Sequence, residues 1–126
     1  MSRADVEHWV AGYRQAWKSD DPEQIGGLFT DDATYLPSPF STPWEGRDAI
    51  VAEWIRRGDS GVEWAFEHAV IAADGSVGVI RGLTTYAATD KTPQTVYGNI
   101  WIVTLAADGR ATSFTDWWIQ RPEPKA

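Results

Sequence analysis

Near residue 62 the hydrophobic pattern of this chain changes period, and that change decides the fold class. Before it, Val6, Trp9, Val10, Tyr13 and Trp17 recur at spacings of three and four, the stripe of one helix over residues 4–18. After it, the runs 62–72, 77–87, 95–106 and 111–120 alternate apolar and polar residues, as half-buried strands do. Asp74-Gly75 and Asp108-Gly109 stand between pairs of these runs, the strongest short-range signal for a hairpin. Helices followed by an antiparallel sheet make an α+β chain.

The helical half has readable punctuation. Ser2 and Asp5 have the spacing of a capping box. Asp21-Pro22 opens a second helix, with Ile25, Leu28 and Phe29 as its apolar face. A short strand over residues 34–36 precedes a loop marked by Pro37, Pro39 and Pro43. Gly46 starts a third helix carrying Ile50, Val51, Trp54 and Ile55, and Gly58 closes it in the left-handed conformation. If each Asp-Gly pair forms the centre of a type I′ turn, the register follows. His68 then faces Arg81, Phe66 faces Leu83 and Trp64 faces Thr85. In the second hairpin Trp101 faces Asp116, Asn99 faces Trp118 and Val103 faces Phe114. The connection over residues 88–94 leaves the middle register open; one choice lays His68, Arg81, Trp101 and Asp116 in a single row.

The 126 residues read as one domain, 1–126, with a loose tail at 121–126. No cysteine is present, so disulfides and thiolate metal sites are excluded. The net charge of −7 speaks against nucleic acid as a partner, and no run approaches the ~20 apolar residues of a membrane span. Without a basic, apolar leader the expectation is a soluble cytoplasmic protein. Eight tryptophans then stand out, because indole walls amphipathic cavities with a large apolar face and one N–H.

The stretch LFTDDATYLPSPF…WEGRDAIVAEW, residues 28–54, resembles the Asp-Asp-Ala and Gly-Arg-Asp/Glu-x-Ile signature of the nuclear transport factor 2-like superfamily. The ending YGNIWIVTLAADGRATSFTDWWI is most similar to its SnoaL-like polyketide cyclase and ketosteroid isomerase branches. The resemblance covers nearly the whole chain. It implies a cone-shaped α+β barrel, three N-terminal helices packed on a strongly curved mixed, mainly antiparallel sheet. Tyr13 falls where the isomerases keep an oxyanion-donating tyrosine. Ser38, before Pro39-Phe40, replaces their proton-shuttling aspartate, and Trp101 replaces their second donor, an aspartic acid. Steroid Δ-isomerisation by that mechanism is therefore not expected. Asp116 resembles the inward acid that the cyclases and epoxide hydrolases carry on the last strand. The epoxide hydrolases' Arg between two Asp is not reproduced, for Asn99 and Trp101 occupy that strand.

Asp116 shares its strand face with Phe114 and Trp118, and the resemblance puts that face inside the cone. Two readings stand: a desolvated general base, or a structural acid paired with Arg81 and the Trp101 indole. Arg81 and His68 are candidate polarising donors; His68 also reads as a satisfied core histidine. Tyr13 is a candidate pocket donor or core residue. Trp17, Tyr35, Trp44, Trp54, Trp64, Phe66, Asn99, Trp101 and Trp118 are the candidate cavity wall. With the sheet inverted, Glu63, Glu67 and Tyr86 would line it instead. Asp31 and Asp32 resemble the superfamily's turn acids, capping backbone N–H groups; no metal is implied. Trp9 is assigned to helix packing. Ile80, Ile100, Ile102, Trp117 and Ile119 form an apolar convex face, the surface of an expected homodimer. The resulting function is a small hydrophobic ligand bound and, without a cofactor, isomerised, cyclised or dehydrated by acid/base chemistry at a carbonyl compound, with Asp116 as base. The alternative is a non-catalytic binding module with the same pocket.

Overall fold

The structure is a computed structural model that describes residues 1–58 and 62–122. Its elements are α1 (Arg3–Ser19), α2 (Pro22–Gly26), β1 (Phe29–Leu36), β2 (Trp44–Glu45), α3 (Arg47–Arg56), β3 (Trp64–Asp74), β4 (Val77–Tyr86), β5 (Thr95–Leu105) and β6 (Ala111–Gln120). Both expected N-caps form. The Ser2–Asp5 capping box is complete, and the Asp21 carboxylate accepts from the Glu23 N–H. Gly46 is the N-cap of α3, with φ of 89°. Gly58 is not left-handed: its N–H donates to Ile55, so α3 ends in a tightened last turn with Arg57 as C-cap. The first strand is longer than the expected 34–36, beginning at Phe29.

The six strands form one sheet in the order β2-β1-β6-β5-β4-β3, antiparallel except for the β1–β6 pair. It is mixed, as expected, but it does not close into a barrel; β2 and β3 remain edges. Arginines of α1 cover the β3 edge, Arg3 donating to the Val70 carbonyl and Arg14 to that of Phe66, each at 2.6 Å. α1 lays Val6, Trp9, Val10 and Tyr13 onto the sheet. Two strand glycines make room for what lies above them. A Cβ on Gly82 would lie 2.4 Å from the Phe66 ring, and one on Gly78 would lie 2.7 Å from Val6.

Both Asp-Gly pairs sit at hairpin ends, yet only their glycines take positive φ. Gly75 and Ser76, rather than Asp74 and Gly75, occupy the first turn, since Asp74 pairs with Val77. In the second, Ala106 and Arg110 close a loop in which Gly109 carries the positive φ. A bulge follows in each hairpin. In the second it lands on the expected pairs Trp101–Asp116, Asn99–Trp118 and Val103–Phe114. In the first it lands one residue away: His68 pairs with Gly82, Phe66 with Thr84 and Trp64 with Tyr86. A one-residue slip inverts a strand's faces. Arg81 and Leu83 therefore point outward, and Ile80, expected on the convex face, is fully buried beside Trp101. The row of His68, Arg81, Trp101 and Asp116 does not form.

Arg121 is tied by its N–H to the Val96 carbonyl. The rest of the expected tail, from residue 123, lies outside the described residues. Asp31 pairs with Arg47 at 2.8 Å, and Asp32 accepts from the Thr30 hydroxyl. These acids bond side chains rather than capping backbone N–H groups. No helix among the described residues is long and apolar enough to cross a membrane.

Candidate active site

A cavity of about 540 Å³ opens between the concave sheet face and the helices. That volume suits a small organic ligand. Trp17, Trp44, Trp54, Trp101 and Trp118 wall it, together with Tyr13 and Tyr35. The corrected register of β4 adds Thr84 and Tyr86. Tyr97 joins them with the same strand parity as Asn99 and Trp101. Parity alone could have found Tyr97; Thr84 and Tyr86 needed the bulge between Val70 and Ala72. Arg57, at the end of α3, had no signal in the pattern.

Asp116 lies inside this cavity, opposite Trp101 on β5. Burial is the main influence on its carboxyl and drives the pKa up to about 6, against hydrogen bonding from Asn99 and Trp101 that lowers it. The Asn99 amide donates to both carboxylate oxygens, at 3.1 and 3.4 Å. The Trp101 indole N–H is directed to the same carboxyl but stands outside good hydrogen-bonding geometry, which leaves it without a full partner. Asn99 is itself oriented. The Thr84 hydroxyl donates to its Oδ1 at 2.8 Å, so the amide must present its N–H₂ to Asp116. Thr84→Val should free that amide to rotate and push the Asp116 pKa further up, while Thr84→Ser keeps it in place. Carboxyl-carbon NMR titration reads the midpoint; identical midpoints in both variants would refute this orienting role.

Tyr13 and Tyr35 meet hydroxyl to hydroxyl at 2.7 Å. Burial, then the neighbouring Tyr35, raises the Tyr13 pKa well above the ordinary phenol, so the Tyr13 hydroxyl stays protonated. The Asp116 charge contributes to that rise, which places the tyrosine pair within electrostatic reach of the acid. Tyr35 stacks on Trp44 at 4.5 Å, and Trp54 lies 4.7 Å from Tyr13. Trp17 stacks on Trp64 at 3.9 Å and 13°. Trp64 and Phe66 thus back the wall rather than line it. Phe66 stacks at 4.6 Å on Trp101, between it and Gly82. Trp118 closes one side, its indole donating to the Pro37 carbonyl at 3.1 Å.

Two expected site residues lie elsewhere. Arg81 is exposed on the convex face, and no cationic charge contributes to the pKa of Asp116, so the expected Arg81–Asp116 pair is absent. His68 binds Glu7 at 2.9 Å and sits 3.3 Å from an Arg14 nitrogen. It joins α1 to the edge strand instead of facing the cavity. The register slip separates both from the acid.

Comparison with known proteins agrees with this architecture. SalBIII, described as an epoxide hydrolase/cyclase-like enzyme in pyran ring formation in the polyether salinomycin, superposes with a TM-score of 0.74 at 20% identity, over 90% of this chain and 89% of its own. An LEH-like epoxide hydrolase of M. tuberculosis superposes at 0.73 and 16% identity, over 92% and 84%. These likenesses establish the fold. No curated protein sequence matches the chain. The SnoaL-like domain model matches residues 10–114. The chain belongs to the SnoaL-like domain family of the nuclear transport factor 2-like superfamily.

Proposed function

We propose that this protein binds a small aromatic carbonyl compound in the cavity and moves a proton at the carbon beside the carbonyl, with Asp116 as base and then acid. The supporting observation is one carboxylate held by Asn99 inside an aromatic cavity, with burial lifting its pKa to about 6. Such a group is ionised at neutral pH yet basic enough to accept a proton from carbon. The C–H electron pair passes to the carbonyl oxygen, and the protonated Tyr13 hydroxyl, which lines the cavity, is the donor to the resulting enolate. Return of the proton at another carbon gives isomerisation. Attack of the enolate carbon on a second carbonyl, whose oxygen takes the proton from Asp116, gives cyclisation. Removal of a second α-proton by Asp116, with its delivery to that hydroxyl, which leaves as water, gives dehydration. These steps use no cofactor. SalBIII is an epoxide hydrolase/cyclase-like enzyme and the M. tuberculosis protein an LEH-like epoxide hydrolase, both of similar fold, which supports an enzymatic reading. The test is solvent deuterium incorporation into aromatic ketones by the wild type and by Asp116→Asn. Binding without exchange in either protein would support a non-catalytic ligand module.

A homodimer through the convex face belongs to the same proposal. Ile102, Trp117 and Ile119 are exposed there, Ile119 at 76%, around Ile100 and Leu83. Exposed Glu67 and Arg81 lie on the same face and can pair across a two-fold axis. Ile119→Asp is expected to convert a dimer to a monomer in sedimentation equilibrium. A wild type that sediments as a monomer would remove this part of the proposal.

A further inference from the structure

Two charged side chains line the cavity among the described residues: Asp116 within it and Arg57, exposed, at its rim. Arg57 does not serve the acid, whose pKa answers to burial, Asn99 and Trp101 and to no cation. It forms no ion pair among the described residues either. The adjacent Arg56 takes Glu53 at 2.6 Å, and Glu53 feels Arg57 only as its weakest neighbour. The Arg57 guanidinium lies instead 5.5 Å from the centre of the Trp44 ring. Trp44 stacks on Tyr35, and the Tyr35 hydroxyl meets that of Tyr13. Guanidinium, indole and phenol thus form a layered wall from the rim towards the acid.

A guanidinium stacked on a ring keeps its N–H donors around its edge, in the fork that matches a carboxylate. The protein is acidic, with a net charge of −7, so its overall field offers an anion no attraction. A cation at the rim of an aromatic cavity supplies that attraction locally. The two lining charges also set direction. A ligand carboxylate is repelled by Asp116 and drawn to Arg57, which leaves the opposite end of the molecule at the acid.

We propose that the ligand is a planar aromatic carboxylate, its anionic group held by Arg57 at the rim and its reacting end turned towards Asp116. The reacting end rests on the acid/base reading of Asp116; the carboxylate site is tested independently of it. Calorimetric titration with naphthoate and with naphthamide, its neutral counterpart, compares the two at about pH 8, where both naphthoate and Asp116 are ionised. Naphthoate should bind about tenfold more tightly at low salt, and the margin should shrink as salt screens the pair. Arg57→Gln should abolish the preference. Arg56→Gln, which removes the same charge from the same helix end, should retain it, and so should Asp116→Asn. Equal binding of the two ligands, or a preference that survives in Arg57→Gln, overturns the proposal while leaving the aromatic cavity and its acid intact. Binding of neither ligand removes the aromatic-ligand reading as well.

Discussion

Asp116→Asn is expected to lose turnover by a factor of about 10²–10⁴, the range for removing a positioned general base, and to gain stability at neutral pH. The sign follows from the burial of the carboxyl. Its ordinary pKa is 3.8 and its folded value about 6. Below about pH 4 the group is protonated in both the folded and unfolded chain, and it costs nothing. Between about pH 4 and pH 6 the unfolded chain releases the proton while the folded one keeps it, so stability falls as pH rises. Above about pH 6 both states are ionised and the full cost stands, about 3 kcal/mol at 1.36 kcal/mol per pKa unit. The Asn variant has no such window. Its stability should run flat through that interval and exceed the wild type by up to that amount at higher pH. Urea titrations at several pH values measure it. A variant less stable than the wild type at about pH 8 would instead show that the charged carboxylate contributes net structural stability.

Gly82→Ala should be the most damaging single methyl that the sheet can receive. The new Cβ would lie 2.4 and 2.6 Å from two carbons of the Phe66 ring, distances at which something must move. Phe66 has little room, because it stacks on Trp101 at 4.6 Å, with Trp17 at 5.6 Å and the His68 ring at 5.8 Å. The cost of such overpacking is about 1–3 kcal/mol or more. It should also reach the cavity, since Trp101 carries the displacement to the carboxyl opposite. Gly98→Ala, one strand away, meets nothing within 4 Å and should be neutral or slightly stabilising. Equal melting temperatures for the two variants would refute this account. Partial recovery in Gly82→Ala with Phe66→Leu would locate the clash at that ring.

How much was legible divides at one hairpin and its bulge. Helix starts were visible because caps are local: Ser2, Asp21 and Gly46 each announce one. Parity along β6 grouped Asp116 with Phe114 and Trp118 without any partner strand, and the family resemblance put that face inside. Asn99 and Trp101 lie at the cavity with Asp116 because the second hairpin keeps the expected register. Arg81 and His68 failed because their placement depended on pairing, and pairing depends on turn geometry and bulges. Asp74-Gly75 identifies the hairpin, but it does not reveal which two residues form its tip. Moving the tip by one residue shifts every pair by two and keeps the faces; the bulge between Val70 and Ala72 is what sent Arg81 outside and brought Thr84 and Tyr86 inside. Arg57 was invisible for a different reason. It lies where a helix ends beside a loop strand, and only the folded chain brings it over Trp44.

The Trp17–Trp64 stack gives the molecule an optical property of its own. Two indoles held nearly parallel at 3.9 Å share their electronic excitation. A chirally arranged pair of this kind produces a couplet in the circular dichroism spectrum. One ring belongs to the last turns of α1 and lines the cavity; the other begins the edge strand β3. The couplet would dim when α1 lifts from the sheet and change when a ligand slides along Trp17. Docking of the helix and entry of a guest can thus be followed by light, with no label added to the chain.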